Sequence, residues 1–176
     1  IFCFCKFTTL FMIFETERLL IRKLTLDDLE PFHQLESNSN VLKYATGEVK
    51  NLEENKIELL DLMDRYQKHY NDFWIYAIET KSDHKFIGTL ALVKDGIDDE
   101  IGYRFLEKYW GNGYGFEVCK GTIDYCKQLK FKKLVGYVVD ENKASAKILE
   151  KLNFKIVKKF ISEDLKLPET KYELEL

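Results

Sequence analysis

Apolar and polar positions along the chain follow two periods, and these predict an order of strands and helices. Glu17–Leu24 alternates as a strand does. Thr25-Leu26-Asp27-Asp28 then reads as a capping box, with Asp28 reaching back to open a short helix that runs to about Ser37. Asn51 caps a longer helix, whose apolar stripe is Leu52, Leu59, Leu60 and Met63, ending at Tyr66 or Tyr70. Phe73–Glu79 and Lys85–Val93 are strand-like around the turn Lys81-Ser82-Asp83-His84. Asp95-Gly96 turns the chain into a third such strand, Glu100–Phe105. A glycine-rich turn follows, then a helix to about Leu129, the strand Lys133–Val139 and a helix over Asn142–Leu152. Asn153 closes that helix, because asparagine tolerates the left-handed conformation of a C-cap. Phe154–Phe160 and Tyr172–Leu176 are the last strands. The order predicts an α/β (α+β) fold, a mixed and mostly antiparallel seven-stranded sheet flanked by about four helices.

Composition narrows the picture. The 176 residues suit one domain with a full core, and 32% charged against 45% apolar residues is an ordinary soluble balance. A net charge of −3 carries no nucleic-acid footprint, and the basic run Lys127–Lys133, broken by Leu129 and Phe131, reads as a solvated helix end. Cys3, Cys5, Cys119 and Cys126 form no CxxC pair and lack a nearby histidine cluster, which argues against a metal site. Unpaired cysteines fit a reduced, cytoplasmic setting. Ile1–Phe14 is apolar, but it is shorter than the roughly 20 residues of a membrane span and has no signal-peptide pattern. The natural start is expected at Met12, with residues 1–11 an upstream extension and 12–176 the domain; the intact mass of natively expressed protein decides this.

The chemistry concentrates in Trp110-Gly111-Asn112-Gly113-Tyr114-Gly115, between a strand and a helix. Three alternating glycines let the backbone approach a ligand closely, and the amides of Asn112–Phe116 can face an anion with the helix dipole behind them. No Gly-Lys-Ser/Thr follows, so it is not a Walker loop, and the glycine spacing is not that of a Rossmann turn. A tight turn without any ligand is the plain alternative.

Ile101-Gly102-Tyr103-Arg104-Phe105 with Tyr109–Glu117 resembles the coenzyme A motif of the GNAT superfamily of N-acetyltransferases. Val138–Ser145 followed by Leu149–Phe154 resembles that family's next strand and helix, and Phe14–Arg22 resembles the opening of its RimJ/RimL-like branch. The resemblance implies acetyl-CoA as acyl donor and no metal. Its pyrophosphate would lie on the amides of Asn112, Gly113, Tyr114, Gly115 and Phe116, with Gly111 a further cofactor-binding residue of the turn. Pantetheine would lie between the strand ending at Phe105 and Leu106 and the one holding Val138 and Val139, near Asn142, with Ser145 beside the departing thiol. Trp110 stands where the family has Arg or Gln, Leu149 where several members have a tyrosine acid, and Asn153 where a glycine is usual.

Transfer to an amine by direct attack needs no cysteine nucleophile. It needs a base, for which Glu100 is the candidate, and an oxyanion donor, expected at the Leu106 amide. Asp98 and Asp99 would form an acidic mouth, Tyr103 would pack, and Arg104 would meet solvent or a phosphate. Trp74 and Tyr76 are core or pocket wall, and Tyr66 and Tyr70 lie where the family's acceptor groove runs. The expected acceptor is a small-molecule amine or a peptide or protein N-terminus, with no nucleic acid or membrane partner and a monomeric or homodimeric chain. A non-catalytic acyl-CoA-binding module of the same fold is the competing function.

Overall fold

A computed structural model describes residues 12–176, so the expected extension over residues 1–11 lies outside the described residues. Eight strands form one sheet: β1 (Met12–Glu15), β2 (Leu19–Lys23), β3 (Phe73–Thr80), β4 (Phe86–Asp95), β5 (Asp98–Phe105), β6 (Lys133–Val139), β7 (Lys155–Ile161) and β8 (Pro168–Glu175). Their spatial order is β1-β2-β3-β4-β5-β6-β8-β7. All neighbours are antiparallel except β5 and β6.

The expected count of seven strands is corrected to eight. The additional strand is β1, four residues whose pairs Phe14↔Ile21 and Glu15↔Leu20 form across the tight Thr16–Arg18 connection. Its period is interrupted by a bulge between Met12 and Phe14, which hides a short strand from pattern reading. The last strand begins at Pro168 rather than Tyr172, since proline is tolerated at the first position of a strand.

The helices are α1 (Leu29–Glu36), α2 (Ser39–Leu42), α3 (Leu52–Arg65), α4 (Tyr114–Gln128) and α5 (Lys143–Lys151). That is five against the expected four; α2 is a single turn, capped by the Asn38 side chain, too short to show a period. The capping signals act as expected. The Thr25 amide donates to Asp28 at 2.8 Å, and Asn51 and Glu54 cap α3 reciprocally. Asn153 takes φ 68°. No helix among the described residues is long and apolar enough to cross a membrane.

The sheet carries a core on each face. Ile21, Ile78, Leu90, Ile101 and Phe105 pack under Val118, Cys119, Ile123 and Cys126 of α4 and Leu149 of α5. Ile75, Ala77 and Phe86 pack under Phe32 and Leu35 of α1 and Leu59 and Leu62 of α3. Burial pushes the thiols of Cys119 and Cys126 up to about 12, so both behave as small core residues.

Two ionic clusters tie the elements together. Arg22 grips both oxygens of Asp28, at 2.7 and 2.8 Å, and Glu79 at 2.6 Å. The side chains are 17%, 5% and 9% exposed, so removing the guanidinium strands two buried carboxylates. Asp98 on β5 lies 2.9 Å from Lys133 on β6 and accepts from Lys171 on β8, while Lys133 also meets Glu173 at 3.0 Å.

Arg22→Met is expected to cost about 3 kcal/mol or more in urea denaturation, the scale of breaking a buried pair from one side. The hydrogen bonds from Lys133 and then Lys171 hold Asp98 below the ordinary carboxylate range, against the opposing effect of burial. A depressed folded value means stabilisation present above the unfolded pKa of about 3.9 and lost as pH falls through the folded value. The urea midpoint of the wild type is therefore expected to drop more steeply below about pH 4 than that of Asp98→Asn, which starts lower at neutral pH.

Candidate active site

β5 and β6 run parallel, but the only residue pair in register is Glu100↔Val135. Beyond it the strands share no further register pair, and a cavity of about 760 Å³ lies against both. Gly136 contributes to the clearance: a Cβ there would sit 3.0 Å from the Leu149 side chain. Because side chains alternate along a strand, the cavity has two walls. Glu100 and Arg104 of β5, Tyr137 of β6 and Glu169 of β8 line one side; Tyr103, Val138, Asn142, Ser145 and Leu149 line the other.

The glycine-rich turn stands at the head of α4. Gly111 and Gly113 take φ of 75° and 80°, in the left-handed region where a side chain is strained. Gly113 is the N-cap and no side chain caps the helix, so the amides of Tyr114, Gly115 and Phe116 keep the open donors of a helix start. Asn112 is turned inward, its amide donating to the carbonyls of Tyr109 and Trp110, both at 3.1 Å. Trp110, which stands where the family has Arg or Gln, donates its indole N–H to Phe105 O at 2.7 Å and so locks the end of β5.

Arg18 is the residue of this turn that sequence reasoning missed. It donates to Asn112 O at 3.1 Å, lies 4.5 Å over the Tyr114 ring and pairs with Glu117 at 2.6 Å. Burial pushes the Glu117 carboxyl up, but bonds from Thr16 and from the backbone and side chain of Arg18 outweigh it and hold the group below its usual value. A cation thus stands beside an uncapped helix N-terminus, a pairing of residues 18 and 113 that no local spacing reveals.

Other expected roles change. The Leu106 amide donates to Ile87 O at 3.0 Å and its side chain is buried beside α1 and α3, so it is not an open donor. Strand alternation turns the amides of Tyr103 and Phe105 the other way, toward β6. The Phe105 ring itself is core, 5.7 Å from Tyr103. Asp98 and Asp99 are held by lysines and form no acidic mouth; the carboxylates at the cavity are Glu100, Glu163, Asp164 and Glu169. Burial, and then the charge of Asp164, push Glu169 up. Arg104 is partly exposed at the cavity wall, and its guanidinium bonds Glu36 of α1 at 2.7 Å.

Tyr66 donates to Ile75 O and accepts from the Leu24 amide at 3.1 Å, and its ring stacks with Trp74 and Tyr76. Trp74 and Tyr76 line a separate hollow with Lys94 and Phe131, away from Glu100 and Ser145. Tyr70 is 90% exposed, and His33 is bonded to Asn55 at 2.8 Å. Among the described residues, no three His, Cys, Asp or Glu side chains gather as metal ligands.

Residues 18–155 match the family model described as the Acetyltransferase (GNAT) domain. The chain is 30% identical over 150 residues to the uncharacterized N-acetyltransferase YoaA of Bacillus subtilis, covering 82% of this chain and 84% of that one. A GNAT-family acetyltransferase from Bacillus anthracis superposes with a TM-score of 0.81 at 24% identity, covering 94% and 98% of the two chains. The ribosomal alpha-N-protein acetyltransferase RimL, solved in complex with coenzyme A, superposes at 0.79 with 18% identity, covering 94% and 98%.

Gly113→Val forces a β-branched side chain to φ 80° and is expected to cost about 1–2 kcal/mol in thermal melting. It should also displace the first amides of α4 and weaken protection by coenzyme A about tenfold in apparent affinity, or ~1.4 kcal/mol. Unchanged protection would remove the turn from the binding site.

Proposed function

The chain belongs to the GNAT acetyltransferase family, whose members are acyltransferases, and on that premise we propose that it moves an acetyl group from acetyl-CoA to a primary amine by direct attack in a ternary complex. The observation that carries this reading is one cavity with Glu100 on one wall and Ser145 on the other, at the place where β5 and β6 part. The acetyltransferase is RimJ/RimL-like in this reading, supported by the Phe14–Arg22 opening and by the likeness to RimL.

The uncapped amides of Tyr114, Gly115 and Phe116, with Arg18 beside them, suit the pyrophosphate. The parted strand edges suit pantetheine, whose amides can bond backbone groups where β5 and β6 share no register pair, near Val138 and Asn142. The Phe105 amide takes the place expected of Leu106 as donor to the carbonyl oxygen on which charge develops. The amine enters on the carboxylate-lined side, as a small molecule or a peptide N-terminus, where the local negative charge favours a cation. Glu100 takes its proton through a water. Bringing the two reactants together supplies a large part of the acceleration.

The test is free-thiol release from acetyl-CoA across a panel of amines and peptide N-termini. Turnover is expected with at least one, and Glu100→Gln should lower kcat by about 10² while leaving KM for acetyl-CoA within about twofold. Silence across the panel would sink the reading.

A further inference from the structure

Resting on that reading, we propose that Tyr103 is a positioning residue for the leaving group: its phenol donates to Ser145 Oγ and so turns the Ser145 hydroxyl proton toward the departing sulfur. The two oxygens lie 3.1 Å apart across the cavity wall, one from the middle of β5 and the other from the first turn of α5. Both side chains line the cavity, and the neighbouring wall residue, Leu149, is 4% exposed and has no donor.

A serine hydroxyl by itself rotates freely and is a weak acid. One fixed donor on its oxygen narrows that freedom, because the hydroxyl proton is then confined to the remaining positions. The direction of the bond follows from acidity. A phenol, with an ordinary pKa of about 10, is a better donor than an aliphatic alcohol. Burial lifts the Tyr103 phenol further above that value, so it keeps its proton throughout the neutral range. Accepting a hydrogen bond also polarises the Ser145 O–H and strengthens what it gives to the next atom.

The phenol is held in place from several sides. A Cβ at Gly115 would come within 3.1 Å of the Tyr103 ring and 2.9 Å of Ile148, so α4 and α5 close directly on it. The Phe105 ring lies 5.7 Å away. Ser145 is held through its own amide, which donates to Asn142 Oδ1 at 3.2 Å. In the reaction the C–N bond forms and the C–S bond breaks with its electron pair on sulfur. The Ser145 proton hydrogen-bonds that sulfur, and the proton given up by the amine balances the one the thiol finally carries.

The experiment is a double-mutant cycle on the full chain, with acetyl-CoA and an amine from the panel that the wild type acetylates. Tyr103→Phe removes one oxygen atom and is expected to lower kcat about tenfold, ~1.4 kcal/mol of barrier, with KM for acetyl-CoA within about twofold. Ser145→Ala should lower kcat at least as far, and the double variant should be no slower than Ser145→Ala, since a merely structural role for Tyr103 would add its own cost. A Tyr103→Phe enzyme at the wild-type rate overturns the proposal, as does a tenfold loss that persists in the Ser145→Ala background. Those outcomes leave the acetyltransferase reading intact. No thiol release by the wild type sinks both.

Discussion

The structure turns on one incomplete strand pairing. β5 and β6 meet in register at Glu100 and Val135 and nowhere further along. Strand edges in a sheet interior carry backbone donors and acceptors that must be satisfied by something. Here the closed end is held by charge: Asp98, Lys133, Lys171 and Glu173 bridge β5, β6 and β8 at the end where β5 begins. At the other end Gly136 removes a side chain and Trp110 holds the Phe105 carbonyl. A staple at one end and an opening at the other leave a row of polar backbone facing a cavity, which is what an amide-bearing ligand requires.

The same opening places the uncapped start of α4. The turn leaves β5 through Trp110 and is braced from the far side of the sequence. Thr16 and Arg18, in the connection between β1 and β2, fasten to Glu117, and Arg18 alone reaches Asn112. The short β1 matters for this reason: pairing with β2 and stacking of Phe14 on Tyr125 at 5.1 Å seat that connection against α4. The bracing of the fold and the proposed anion cradle therefore share residues.

Most of the order of elements was legible because it is encoded locally. Capping residues at Thr25 and Asn51, the left-handed Asn153, and the period of each strand act within a few residues of themselves. The glycine-rich turn was legible for the same reason. The misreadings share an opposite cause. β1 and α2 are too short for a period to appear. Arg104 finds Glu36, Asp98 finds Lys133 and Lys171, and Arg18 finds Glu117, all partners distant in the chain. Leu106 looked like an open donor because nothing local shows that the Ile87 carbonyl lies opposite it. Identity of the chemical groups was readable; the pairing that decides which of them remain available was not.

Spacing along β5 nevertheless holds one piece of the chemistry. Glu100 and Tyr103 are three residues apart, an odd separation, so a strand of period two presents them on opposite faces. A reaction that must take a proton from an amine and steady a leaving thiol benefits from groups that cannot reach each other directly, since a carboxylate bonded to the phenol would serve neither role. The parted edge between β5 and β6 is where those two faces communicate. A one-residue slip of β5 would exchange Glu100 and Tyr103 between walls and move Ile101 out of the core. Packing therefore fixes the register, and the register fixes which wall carries Glu100 and which carries Tyr103.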